Sequence, residues 1–130
     1  MTHLVDTNIW LEVLLSQERA DDARGFLNRF DGEALAITDF SLFSLGIVLT
    51  RLKKDELLES FVDDIVHGGI LVVGPGAEEW DKVLAVRRQY PLDFDDAYQY
   101  AVAVTHDWQI VSFDHDFDRT ERGRIQPLDA

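Results

Sequence analysis

Short apolar runs alternate along this chain with longer segments of helical spacing. The runs have the length of buried strands and cover residues 3–5, 34–38, 70–73 and 109–112. Between them, apolar residues recur at helical intervals, which predicts helices over residues 9–15, 20–30, 40–52, 57–65 and 77–90, and one more after Asp93. This alternation predicts an α/β fold, with a central, mainly parallel sheet of four to five short strands flanked by helices. The fifth strand would begin at Ile125.

Nothing along the sequence divides it into parts. With 130 residues it is long enough to bury a sizeable core, and it contains no internal repeat, low-complexity tract or linker. We therefore expect a single domain over residues 1–130. The absence of cysteine excludes disulfides and thiolate metal sites.

Charge and hydropathy narrow the classes of protein further. The chain has 12 Lys and Arg against 25 Asp and Glu, a formal charge of -13. This disfavours binding of nucleic acid by charge alone, and it suits capture by a basic partner protein. No apolar run approaches the roughly 20 residues that cross a bilayer, and the N-terminus lacks the features of a signal peptide. We expect a cytoplasmic protein with no membrane partner.

Acidic residues are concentrated late in the chain. Residues 93–118 contain seven aspartates and no lysine or arginine. Carboxylates crowded in this way disfavour one another's ionisation unless a cation neutralises them. A hard divalent ion such as Mg²⁺ or Mn²⁺ is the simplest candidate, because these ions choose oxygen ligands.

Three aspartates occupy positions where an α/β sheet gathers its ligands. Asp6 ends the first strand, Asp114 follows the fourth, and Asp96 lies at the start of a helix. Ligands bind at the carboxyl ends of parallel strands, so acids there are well placed for chemistry. Helix capping is the alternative: Asp6 could cap the first helix, and Asp93 with Asp96 has the spacing of a capping box. Asp39 is predicted to cap the helix over residues 40–52 in the same way.

Three motifs carry a resemblance to a known family. They are Val-Asp-Thr-Asn at residues 5–8, Leu-Asp-Phe-Asp-Asp-Ala at 92–97 and Val-Ser-Phe-Asp-His-Asp-Phe at 111–117. In content, order and separation they resemble the PIN-domain nucleases, in particular the small single-domain VapC-type toxins. The resemblance covers essentially the whole chain and the order of its predicted elements.

The resemblance implies a site and a reaction. Asp6, Asp96 and Asp114 would hold Mg²⁺ or Mn²⁺ and catalyse hydrolysis of RNA phosphodiesters, as in a metal-dependent endoribonuclease. The same motifs imply four supporting residues beside the metal ligands, namely Asn8, Ser112, Asp93 and Asp95. The resemblance also implies a cognate antitoxin as partner and a homodimer.

One family feature is missing. The family usually places a glutamate in the helix after the second strand, but here residues 39–49 offer no acid after Asp39. Ser44 lies near the expected position and could only hold a water. A second hypothesis is therefore that the chain is a PIN-like module that binds a partner without catalysis. A third, a phosphatase of the haloacid-dehalogenase type, needs an acid two residues after Asp6, where this chain has Asn8.

Basic residues follow the acidic segment. Three arginines come directly after it, namely Arg119, Arg122 and Arg124. They are better candidates for contact with RNA phosphates than Arg87 and Arg88, which are expected to lie on a solvated face. His115 is predicted to be an exposed loop histidine, and Asp116 is expected to be a solvated loop acid.

Overall fold

Four parallel strands form the central sheet of the computed structural model, which describes residues 1–130. Their order across the sheet is β3-β2-β1-β4, and every pairing is parallel. The strands are β1 (His3–Val5), β2 (Leu35–Thr38), β3 (Leu71–Val73) and β4 (Gln109–Val111). The predicted α/β class with a parallel sheet is confirmed. The fifth strand is reduced to a single bridge between Val111 and Ile125.

Six α-helices connect and cover the strands. They are α1 (Thr7–Leu14), α2 (Ala20–Asn28), α3 (Asp39–Arg51), α4 (Asp55–Gly68), α5 (Trp80–Gln89) and α6 (Phe94–His106). None of them combines the length and apolar character needed to cross a membrane.

The start of α3 differs from the prediction. Thr38, the last residue of β2, is the N-cap, and its hydroxyl accepts a hydrogen bond from the Ser41 amide at 2.9 Å. Asp39 is already helical, so its predicted role as the cap is wrong. The physical reason is that the extended backbone of Thr38 already presents an oxygen to the orphan amides of the first turn.

The core has two parts, one on each face of the sheet. Neighbouring residues of a strand point to opposite faces, and the two clusters divide accordingly: Leu4 and Ile110 belong to one cluster, Val5 and Val111 to the other. The first cluster packs against α5 and α6, and the second against α1, α2, α3 and α4.

Helix α6 is the most deeply buried helix, and one of its buried residues is an aspartate. Eight consecutive residues, Asp96 to Ala103, are buried. Alanines at positions 97, 101 and 103 let the helix lie close to its neighbours. Asp6 follows β1 and Asp114 follows β4, and both charges act on Asp96. The start of α6 therefore lies near the carboxyl ends of these two strands.

Gly32 marks a close backbone contact that should limit substitution. A Cβ on Gly32 would lie 1.8 Å from the carbonyl oxygen of Gly68, at the end of α4. Gly32→Ala should therefore lower the free energy of unfolding by about 1–3 kcal/mol, as other overpacked substitutions do. Gly25→Ala is the matched control, because nothing lies within 4 Å of its Cβ position in α2. We expect that change to be neutral or to stabilise by up to about 1 kcal/mol. Urea denaturation of both variants measures the difference, and equal stabilities would contradict the proposed clash.

Candidate active site

Asp6 lies buried at the end of β1, and its side chain does not cap α1. Only 4% of Asp6 is exposed, and α1 has no side-chain cap hydrogen bond. Its carboxylate instead accepts hydrogen bonds from Gln99 Nε2 at 2.7 Å and from Ser112 Oγ at 2.6 Å. Asp6 thus takes the N-cap position of α1, as the capping alternative predicted, but its side chain makes no cap hydrogen bond.

Asp96 is equally buried and faces the same region. It is 5% exposed, on the first turn of α6. Asp93 takes the N-cap position of α6 but makes no side-chain cap hydrogen bond, so the two do not form a capping box. Burial, followed by the charges of Asp6, Asp95 and Asp114, raises the pKa of Asp96 to about 8.

Asp114 completes the group from the end of β4, the strand that pairs with β1. It is half-buried, and its proximity contributes to the raised pKa of Asp96. Its charge also raises the pKa of Asp6, although burial of Asp6 is the larger cause. The structure thus brings together the three aspartates that the sequence singled out. Their assignment as metal ligands stays a prediction.

Ser112 and Asn8 join the ends of β1 and β4. The Ser112 hydroxyl, which donates to Asp6, accepts from the Asp114 amide at 2.8 Å and from Asn8 Nδ2 at 3.3 Å. Asn8 Oδ1 accepts from the Phe113 amide at 3.3 Å. The carboxylate of Asp6 and the backbone of Asp114 are therefore joined through the Ser112 hydroxyl.

The donor set fits a hard divalent cation. The side chains that donate to Asp6 are neutral, and no lysine or arginine pairs with Asp6, Asp96 or Asp114. Two buried carboxyl groups without a cation disfavour each other's ionisation. Gln99 adds a further oxygen, since its Oε1 is buried without a hydrogen-bond partner. Mg²⁺ and Mn²⁺ take oxygen ligands of this kind.

Gln99 was not among the predicted residues. It is 1% exposed and lies one turn after Asp96 on α6. A polar residue three positions after an acid, within a run of mainly apolar and aromatic residues, was the signal that could have identified it. Its role is to hold Asp6 by a hydrogen bond across the sheet edge.

The loop after β4 contains a second group of ligand atoms. One ligand atom from each of Asp114, His115 and Asp116 lies within 4.8 Å of the others. Asp116, expected to be solvated, is half-buried, and its amide donates to Asp114 Oδ1 at 2.8 Å. His115 is exposed, as predicted.

Asp39 lies apart from the three aspartates. Its Oδ1 accepts from the Tyr98 hydroxyl at 2.8 Å and from the Phe40 amide at 2.7 Å. Burial and this hydrogen bond raise the pKa of Tyr98, so the phenol stays protonated. Asp39 is not among the charges that shift the pKa of Asp6 or Asp96. The hydrogen bonds of Asp39 therefore connect it to Tyr98 and to its own helix, and not to the three aspartates.

The remaining predicted residues lie on α3 (Ser44) and at the start of α6 (Asp93 and Asp95). Ser44 is half-buried on α3, one turn after Ser41. The Ser41 hydroxyl is hydrogen-bonded to that of Thr7, beside Asp6, at 2.7 Å. Asp93 and Asp95 are exposed, and of these two only the charge of Asp95 raises the pKa of Asp96.

The three candidate arginines have intramolecular partners. Arg124 is largely buried and donates to the Ser112 carbonyl at 3.2 Å and to Asp118 at 3.1 Å. Arg122 pairs with Asp107 at 3.0 Å. Arg119 is half exposed and lies 3.5 Å from Asp116, so it is the most accessible of the three.

Comparisons with known proteins identify a family by its sequence model and a set of structures with the same fold. The family model described as PIN domain matches residues 3–123. A toxin-antitoxin complex from Klebsiella pneumoniae has a TM-score of 0.79 at 18% identity, covering 99% of this chain and 100% of that one. The Sarcin-Ricin loop cleaving toxin VapC20 of Mycobacterium tuberculosis also has 0.79 at 18% identity, covering 97% and 100%. FitAcB from Neisseria gonorrhoeae has 0.75 at 20% identity, covering 97% and 98%. At these identities the structural likeness concerns the fold alone. No curated protein matches the sequence.

The raised pKa of Asp96 predicts how stability depends on pH in metal-free protein. The folded state holds this proton up to about pH 8, whereas the ordinary value is 3.8. Between those values the folded state binds more protons than the unfolded chain. The free energy of unfolding should therefore fall as pH rises, by at most about 1.4 kcal/mol per pH unit for one proton. Urea denaturation in EDTA from pH 5 to pH 8 measures this slope.

The variants Asp96→Asn and Asp95→Asn separate the buried acid from its exposed neighbour. Asp96→Asn should flatten the slope and be more stable than the parent protein at pH 8. Asp95→Asn should keep most of the slope, because that side chain is exposed. Equal slopes in all three proteins would show that Asp96 is not the titrating group.

Proposed function

We propose that this chain, which belongs to the PIN domain family, is a metal-dependent endoribonuclease and the toxin of a toxin–antitoxin pair. The observation that supports this best is the meeting of Asp6, Asp96 and Asp114 at the carboxyl edge of the sheet, without a lysine or arginine to neutralise them. We further propose that the whole chain, residues 1–130, is one domain that acts in the cytoplasm.

The carboxylates would hold one or two Mg²⁺ or Mn²⁺ ions. When bound, such an ion activates a water and stabilises charge on the phosphate that is cleaved. Asp96 would give up its proton to become a ligand, so metal binding should compete with protons. Gln99 and Ser112 orient Asp6, and Asn8 fixes the end of β4 from which Asp114 projects.

RNA as substrate and an antitoxin as partner are supported by the relatives. One similar structure is named as a toxin that cleaves the Sarcin-Ricin loop, and another is named as a toxin-antitoxin complex. The charge of -13 fits a basic protein partner. A homodimer is expected from the family resemblance only. Arg119 is the accessible candidate for a phosphate contact.

A second candidate function is a PIN-like module that binds a partner without catalysis. It is favoured by the serine at position 44, near the place where the family usually has a glutamate, and by the hydrogen bond that joins Asp39 to Tyr98. This candidate predicts no cleavage at any metal concentration, and no heat of divalent-metal binding in calorimetry.

Asp96→Asn tests the nuclease proposal directly. With Mn²⁺ and a structured RNA, the substitution should lower the cleavage rate by about 100-fold or more, because it removes a ligand from an ion worth several kcal/mol to the transition state. Asp95→Asn is the matched control, since it changes the adjacent exposed carboxylate and should leave most of the rate. Gel analysis of end-labelled RNA measures both. Cleavage that persists in Asp96→Asn, or in excess EDTA, would refute the mechanism.

Ser44→Glu tests whether the missing family acid limits metal binding. A carboxylate added near Asp6 should tighten Mn²⁺ binding about tenfold, because an opposite charge close to the ion stabilises the bound state. Ser44→Gln adds similar volume without charge and should not tighten binding. Titration calorimetry measures the affinities. Equal affinities in the two variants would mean that position 44 does not reach the ion.

A further inference from the structure

An exposed aromatic groove lies on the β2–β3 side of the sheet edge. It has a volume of about 320 Å³ and is lined by Asp39, Phe40, Phe43, Trp80 and Tyr98. The rings of Phe40 and Tyr98 are 5.3 Å apart, and those of Trp80 and Tyr98 are 5.8 Å apart. Phe43 is 72% exposed. These residues come from the starts of α3 and α5 and from the first turns of α6, so the sheet gathers them from three distant segments.

The groove contains one charged group with free hydrogen-bonding capacity. Asp39 Oδ1 is occupied by Tyr98 and the Phe40 amide, whereas Oδ2 has no hydrogen-bond partner. The carboxylate lies directly against Gly74, where a Cβ would come within 2.3 Å of Oδ2. Glycine at the end of β3 therefore allows Asp39 to lie here. The free oxygen is available as an acceptor for a ligand.

The surroundings of the groove are acidic. Beside Trp80 lie Glu78, Glu79 and Asp81, and beside Phe94, which stacks on Trp80, lie Asp93 and Asp95. No lysine or arginine occurs in residues 39–46, 74–81 or 93–98. Lys82, the nearest in sequence, donates to the Thr105 hydroxyl on α6. The field around the groove therefore attracts cations and repels phosphates and copies of the same surface.

We propose that this groove is a docking site for an arginine-bearing segment of a partner protein, with the guanidinium against the aromatic faces and Asp39 Oδ2. A guanidinium is planar, stacks on aromatic rings and donates to carboxylates. Aromatic faces attract cations by about 0.5–1 kcal/mol at exposed sites. Apolar residues beside the arginine would cover Phe43. None of Asp6, Asp96 and Asp114 lines the groove. The proposal goes beyond the nuclease reaction and does not depend on it.

The test uses defined probes on metal-free protein without RNA. The readout is the indole N–H signal of Trp80 in ¹H–¹⁵N NMR spectra, assigned with Trp80→Phe. N-acetyl-arginine amide should shift this signal at millimolar concentration, whereas the neutral isostere N-acetyl-citrulline amide should not. The tripeptide Ac-Leu-Arg-Leu-NH₂ should bind more tightly than the single residue.

Matched variants connect the binding to the groove. Asp39→Asn and Phe43→Ala should each weaken binding of the tripeptide by about three- to tenfold. Asp39→Asn keeps an oxygen acceptor for Tyr98, and Phe43 is so exposed that its loss should not affect folding. Asp64→Asn and Val66→Ala change an exposed acid and an exposed apolar residue on α4, and they should leave binding unchanged.

Several outcomes would overturn the proposal. Equal shifts by the arginine and citrulline probes would remove the cation from the argument. Tighter binding of spermidine than of the tripeptide would assign the groove to free polyamines, and binding of guanosine monophosphate that depends on Phe43 would assign it to a nucleobase. A dimer in sedimentation analysis that Phe43→Ala dissociates would assign it to a second copy of the chain. Failure of any of these tests would leave the Asp96→Asn cleavage experiment unaffected.

Discussion

The repulsion among three carboxyl groups at one edge of a parallel sheet is the constraint on which this structure depends. Burial of an unpaired charge costs far more than burial of a neutral group, and neither Asp6 nor Asp96 has a lysine or arginine partner. The fold accommodates them by two different means. Asp6 receives hydrogen bonds from two neutral side chains, while burial and the neighbouring acids raise the pKa of Asp96 to about 8, so that it keeps its proton at neutral pH. Both arrangements accommodate the acids in the absence of a cation.

The topology explains why these acids meet although they are far apart in sequence. Strand β1 lies between β2 and β4, all three running in the same direction, so Asp6 and Asp114 leave neighbouring strands at the same edge. Helix α6 supplies Asp96 and, one turn later, Gln99, which reaches back to Asp6. The site therefore depends on the register of two strands and one helix. The Ser112–Asn8 hydrogen bonds maintain that register where the two strands end.

The sequence was sufficient for the features that depend on local pattern. Apolar runs identified four strands, and acids at strand ends identified Asp6 and Asp114. The choice of Asp96 over Asp93 and Asp95 came from the family resemblance, because spacing alone also allowed a capping box. Features that depend on the approach of distant segments were missed. Gln99 was missed although it lies one turn after Asp96, because its hydrogen bond to Asp6 spans 93 positions. Asp39 was interpreted as a cap because its hydrogen bond to Tyr98 spans 59 positions. The aromatic groove was not predicted for the same reason, since its rings come from three segments of the chain.

The two acidic surfaces at this edge of the sheet differ in what surrounds the carboxylate, and this difference assigns them different ligands. Asp6 and Asp96 are buried among oxygen donors, a setting that favours a small ion with strong oxygen preference. Asp39 is exposed among aromatic rings, which offer a polarisable face to a weakly hydrated cation but no further ligands to a small hard ion. Asp39 is the one acid of α3, and its hydrogen bond to Tyr98 holds it in the lining of the groove. A partner held there would lie within two residues of Asp96 along α6, through Phe94 and Tyr98.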